Sequence, residues 1–176
     1  MKHFLWALIL FGSQNLLAQN PAQTFLDELP DSTTMTVHLY NSTLRSFVKK
    51  PSEEFLKLII DVKRISATGI AAGVDSTQLH NLAEKLKANG YTNSQEFEEY
   101  EEFKDKAIVL VKNPESKDAH YVILAGFEGW AAIIQVMGKP NLAYINAIEE
   151  LDMKRIMGFM KPQMKEAEKK FKPKKD

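Results

Sequence analysis

The chain contains no cysteine. That absence excludes thiol catalysis, thiolate metal sites, disulfide staples and the lipid-bearing cysteine of a bacterial lipoprotein. Net charge is missing too, since 23 lysines and arginines stand against 23 aspartates and glutamates. No global field draws the molecule to a polyanion, and no nucleic-acid partner is expected. Histidine is scarce: beyond His3, only His38, His80 and His120 occur, and none has the i to i+3 or i+4 partner of a metal-binding helix. The few glycines build no phosphate loop, because "TGIAAG" lacks both the GxGxxG spacing and the lysine of GxxxxGK[ST]. It is expected to form a turn. No GxSxG elbow surrounds any serine, and no serine can be matched to a histidine and an acid by spacing. No catalytic residue, cofactor or metal is therefore expected.

Long apolar runs are also wanting, with one short exception at the start. "MKHFLWALILFGSQNLLAQ" places Lys2 and His3 before an apolar run from Phe4 to Phe11, then Leu16, Leu17 and Ala18. This is the charged, apolar and small-residue order of a secretory signal, too short for a span of roughly 20 apolar residues. Cleavage is expected after Ala18, giving a protein exported to the periplasm or beyond. Residues 19–32, with two prolines, read as a linker carrying at most a helical turn at Phe25 to Leu29.

The remaining chain is long enough for one domain, expected over residues 33–152. "TTMTVHLY" alternates Met35, Val37 and Leu39, the period of a half-buried strand from Met35 to Tyr40. "KPSEEFLKLIIDV" sets Pro51, Glu53 and Glu54 at the positive end of a helix that turns Phe55, Leu58 and Ile59 to one side. "VKRISATGIA" has strand composition, with Gly69 and Gly73 as its closing turn. Asp75 or Ser76 can cap a helix whose Leu79, Leu82, Ala83 and Leu86 form a buried stripe ended by Asn89 and Gly90.

Strands over 108–111, 121–125 and 130–137 follow as an antiparallel meander. "GKPNLAYINAIEEL" reads as a last helix with Leu142, Ile145, Ile148 and Leu151 inward. "WAAIIQV" is apolar at every other position and between, as a strand covered on both sides requires, so Trp130 reads as packing. The predicted class is α+β: an antiparallel-rich sheet of about five strands in β-α-β-α-β-β-β-α order, helices mainly on one face.

Two stretches suggest interaction surfaces. "QEFEEYEEFKDK" is acidic, with Phe97, Tyr100 and Phe103 at three-residue spacing, consistent with an exposed strand or with a helix burying one side. Residues 153–176 form a basic amphipathic tail: Met153, Ile156, Met157, Met160 and Met164 against Lys154, Arg155, Lys161, Lys165, Lys169 and Lys170. Such a tail can pack back on the domain or lie on an anionic membrane surface.

With these elements in place, "MTVHLYNSTL", "VKRISATG" and "HYVILAGFEGWAAIIQVMGKPNLAYINAI" resemble the domain-of-unknown-function 4252 family, small exported proteins of Bacteroidetes-type bacteria. The likeness covers roughly residues 25 to 150 and carries no catalytic signature. It implies a non-enzymatic envelope protein that binds an unknown envelope partner. A peripheral membrane protein anchored by the tail is the alternative, and a hydrolase a more distant one.

Overall fold

In the computed structural model, residues 20–30, 34–71, 74–98, 107–127, 130–152 and 155 are described. Helix α1 (Pro21–Asp27) precedes strand β1 (Thr34–Tyr40), helices α2 (Asn41–Ser46) and α3 (Glu53–Ile59), and strand β2 (Asp61–Ala71). Helix α4 (Ser76–Ala88) leads to the two-residue β3 (Thr92–Asn93) and the one-turn α5 (Gln95–Glu98). Strands β4 (Ala107–Lys112), β5 (His120–Phe127) and β6 (Trp130–Lys139) then precede a 3-10 segment, Leu142–Glu150.

All pairings are antiparallel, in the order β1-β2-β6-β5-β4-β3. The α+β class and the β4-β5-β6 meander stand as expected, with the short β3 as a sixth strand. β6 and β5 lie in the middle, so the stretch around residues 120–139 is the spine of the sheet.

Pairing register divides the side chains between two faces, because successive residues of a strand point opposite ways. Leu39, Ile65, Val136, Tyr121 and Val111 form one row of the front face; Val37, Ala67, Ile134, Ile123 and Val109 the next; Met35, Gly69, Ala132, Ala125 and Ala107 the third. α2, α3 and the 3-10 segment pack over the first row through Leu44, Phe55, Leu58 and Ala147. On the back face Ile70, Ala131, Ile133, Leu124, Val122 and Leu110 meet α4 and α1. Helices therefore flank both faces rather than mainly one. The reason is in β5 and β6, which are apolar on both sides and must be covered twice.

Three further readings are corrected, and one helix is added. Residues 21–27 are a helix, not linker: Pro21 sits at its first position, Asn20 caps it by accepting from the Ala22 N–H at 3.1 Å, and Ala22 is fully buried. Asn41–Ser46 is helical although nothing in its local pattern demands it; the Asn41 amide donates to the carbonyls of Ile59 and Val62, fastening it by tertiary bonds. Gly69 lies inside β2, which runs on to Ala71, because pairing with both β1 and β6 overrides glycine's turn preference. The last helix is 3-10 with a kink at Tyr144, which turns Ile148 outward to 47% exposure and Ala147 inward.

The α4 stripe is as expected, Leu79, Leu82, Ala83 and Leu86 all being buried. Its start is a reciprocal cap: Asp75 accepts from the Gln78 N–H and the Gln78 side chain from the Asp75 N–H. At the other end of the sheet, the register of β2 against β6 slips by a bulge between Val62 and Arg64, opposite Gly138.

Candidate functional site

The back face is apolar only where α1 and α4 cover it. Its remaining rows read Tyr40, Arg64, Met137, His120, Lys112, then His38, Ser66, Gln135, then Thr36, Thr68. This polar strip faces outward along β1, where Thr36, His38 and Tyr40 are exposed. Alternation in β1 and β2 produces it: Val37, Leu39 and Ile65 go forward, so the residues between them go back.

Cross-strand bonds order the strip. The hydroxyls of Thr36 and Thr68 lie 2.8 Å apart, and His38 Nδ1 lies 2.8 Å from Ser66 Oγ. Ser66 and Thr68 are buried, so these bonds satisfy groups that would otherwise cost about 1–3 kcal/mol each. The pairing of Ser66 with His38 is one that spacing along the chain could not reveal. It falls short of a nucleophilic dyad for two reasons. Among the described residues no carboxylate hydrogen-bonds His38, and β2 is paired on both sides, so its N–H groups are committed to the ladder and do not form an oxyanion hole.

Deeper in the strip the Asn20 amide donates to Gln135 Oε1 at 2.6 Å, and the Tyr91 hydroxyl meets His120 Nδ1 at 2.6 Å. Burial lowers the His120 pKa, a hydrogen bond with Gln135 opposes this, and the cations Arg64 and Lys112 add to the lowering. His120 is thus held neutral at pH 7. Below the ordinary histidine range the unfolded chain takes up this proton more readily than the folded one. Stability is therefore complete above about pH 6.5 and falls on acidification toward the lowered folded value. Urea denaturation at pH 7.5 and 5.0 is expected to show this loss, and His120→Gln to reduce it.

Arg64 is the unusual member. Its Nη2 donates to the thioether of Met137 at 3.1 Å, and its Nε is buried with no hydrogen-bond acceptor. Among the described residues it forms no salt bridge, whereas Lys57, Lys63, Lys87, Lys117 and Lys139 each face a carboxylate. The Arg64, His38 and Thr36 rows contain no aspartate or glutamate, whereas the next row toward the strand end pairs Asp61 with Lys139. Lys112, at the far end of the Arg64 row, donates to the Asn89 carbonyl at 2.9 Å and lies over the Tyr91 ring. The row is cationic with no built-in counter-ion. What it can do chemically is accept an anion.

The residues singled out from sequence lie elsewhere. Phe97 belongs to α5 and is 6% exposed, packed edge-on against Tyr121 with ring centroids 5.8 Å apart. It is a core residue, the outcome its three-residue spacing allowed. Tyr100, Phe103, Lys154, Lys161 and Lys165 lie outside the described residues; Arg155 is exposed, its N–H bonded to Asp152. Trp130, expected as packing, is 47% exposed at the front-face end of β6.

A groove of about 700 Å³ lies between Ile60, Asp61, Glu96, Lys139 and Asn141. Among the described residues no group of His, Asp and Glu could hold a metal ion, and no helix is long and apolar enough to cross a membrane. No family model, no curated protein and no solved structure matches the chain.

Proposed function

We propose that the chain is an exported, non-enzymatic binding protein of the bacterial envelope, and that the polar strip is where it takes a carboxylate presented by a partner protein. The observation that carries this reading is Arg64: a guanidinium fixed in a sheet, with a thioether for a partner and no carboxylate in its rows. A planar guanidinium matches a carboxylate with two parallel bonds, far better than it matches sulfur. The signal-like start and the likeness to exported proteins of unassigned role support the envelope setting. Ser66, lacking an acid behind His38, serves here as a structural hydroxyl.

The test is a nuclear magnetic resonance titration of the protein with a glutamate-rich hexapeptide, and in parallel with inorganic phosphate. Saturable shifts at Arg64 and His120, with the His120 pKa rising as a negative charge arrives beside it, are expected with the peptide. Arg64→Met should weaken binding at least about tenfold, the worth of a charge-assisted bond, and leave the melting temperature unchanged. A response to phosphate alone would transfer the strip to another ligand class. Binding that is indifferent to Arg64→Met would sink the proposal.

A further inference from the structure

The two edges of the sheet are unlike. At one end stands β3, two residues long, and a short edge strand is one of the ways in which sheets avoid pairing with one another. At the other end stands β1, seven residues long, with no lysine, arginine, aspartate, glutamate or proline and no slip in its register against β2. Charge, proline and bulge, the devices that usually close a long edge, are absent from it. One side of its backbone is bonded to β2. The N–H and C=O groups that point the other way have no backbone partner among the described residues.

α1 and α2 leave this edge clear. α2 follows β1 directly but turns in over the sheet, held there by the bonds from the Asn41 amide to the carbonyls of Ile59 and Val62. α1 lies over β6, where Asn20 meets Gln135. Thr36, His38 and Tyr40 are accordingly exposed, Tyr40 to 54%.

The strand is its own complement. Antiparallel partners set directly opposed residues on the same face of the sheet. Laid against a second β1 with Val37 opposite Val37, Met35 meets Leu39, Thr36 meets His38 and Thr34 meets Tyr40. Every residue of the strand is then paired, and apolar side chains meet only apolar ones on the front face. Moving the centre to His38 would shorten the ladder and set two imidazoles against each other. A two-fold axis through Val37 makes both halves of the contact the same, as a closed dimer requires. With no charge, β1 has nothing with which to select a charged peptide; what it matches is an equal alternation, and its own sequence supplies that.

We infer that two copies of this chain join edge to edge through β1, antiparallel about Val37, into one sheet continuous across both. On the back face the row of Gln135, Ser66 and His38 then runs on into Thr36 and Thr68 of the second copy, so that two polar strips become one. The pairing does not depend on what the strip binds.

Sedimentation and cross-linking of the intact chain test it. A single ladder of this length is at the small end of specific interfaces, so the chain of 20.0 kDa is expected to double its mass between about 1 µM and about 500 µM. The register is read by thiols, since the chain has no cysteine of its own. Thr36→Cys mixed with His38→Cys should form a disulfide at least about tenfold faster than either variant alone, because opposed Cα atoms lie about 4.5–5.5 Å apart and diagonal ones about 7–8 Å. Both substitutions are at exposed positions, and sedimentation of the unaltered chain decides the pairing even where a variant fails to fold. A single mass at every concentration would overturn the inference. So would a dimer in which the mixed pair has no advantage, because its contact would lie elsewhere. A chain that stays monomeric yet binds the glutamate-rich peptide would overturn it too, and leave the reading of the strip standing.

Discussion

Gly138→Ala is expected to abolish cooperative folding, a loss above about 4 kcal/mol. Gly138 has φ +102°, a region that side chains rarely adopt, and an added Cβ would lie 2.0 Å from the Asp61 carbonyl oxygen and 2.9 Å from Lys63 N and Val62 Cα. All three obstacles are backbone, and all belong to the bulge by which β2 slips against β6. They cannot move aside as the end of a flexible side chain would. The same residue also donates its N–H to the Ala119 carbonyl at 2.8 Å, tying the end of β6 to the entry of β5. Gly90 provides the contrast: φ is +86°, but an added Cβ would meet Lys112 Cε at 3.8 Å and nothing nearer. Gly90→Ala should cost only about 1 kcal/mol. Urea denaturation of both variants separates strain alone from strain with collision. If Gly138→Ala unfolds as readily as Gly90→Ala and no more so, the bulge relaxes and the argument from collision fails.

That bulge also bears on the candidate site. A strand that slips by one residue exchanges its two faces. The bulge between Val62 and Arg64 is what allows Val62 to join the front-face cluster and Arg64, two residues on, to stand behind. Gly138 thereby positions the arginine without touching anything it would bind.

How much of this could be seen in the sequence follows from the range of each interaction. α4 is legible because everything that makes it is local: Asp75 and Gln78 cap it, four apolar residues recur at helical spacing, and Gly90 ends it. The meander is legible for the same reason, its strands being joined by short connections. α2 is not, since the bonds that hold Asn41 come from Ile59 and Val62, on the far side of another helix. α1 was hidden by its prolines, which signal a linker only when Pro21 is not recognised as a first helical residue.

The site was hidden for a further reason. His38 and Ser66 lie 28 residues apart and Asn20 and Gln135 lie 115 apart, so only strand order brings them together. One signal was available: between the forward-pointing Val37 and Leu39 stands a histidine, and beside the forward-pointing Ile65 stand an arginine and a serine. Taken as back-face residues of neighbouring strands, they already outline a polar strip. Charge and aromatic content point instead to Phe97 and its acidic surroundings, and Phe97 is buried, because an aromatic among carboxylates can be the inward side of a turn.

Phe55→Ala is expected to destabilise the fold by about 3–5 kcal/mol. Phe55 is fully buried under α3 and fills the space between Leu44, Leu58 and Val62 on the front face, with Leu39, Ile65 and Val136 beneath. The surroundings cannot collapse into the cavity freely. The Phe55 N–H is held by the Ser52 hydroxyl at 3.0 Å, and Ser52 is held in turn by Glu150 through its N–H and its hydroxyl. α3 is therefore clamped to the 3-10 segment at the point where it would have to sink. Chemical denaturation measures the loss, and a cost below about 2 kcal/mol would show that the clamp yields. The variant also separates the two faces. In its folded population Leu151, which packs against this cluster, and Asp152, whose N–H donates to the Phe47 carbonyl, lose part of their support, so their exchange should quicken. The strip lies on the other side of a sheet whose back-face cluster is untouched, and there the His120 titration and the response to the glutamate-rich peptide should match those of the unaltered chain. A shift of both together would mean that the sheet transmits the cavity from one side to the other, and that the two faces cannot be assigned separate roles.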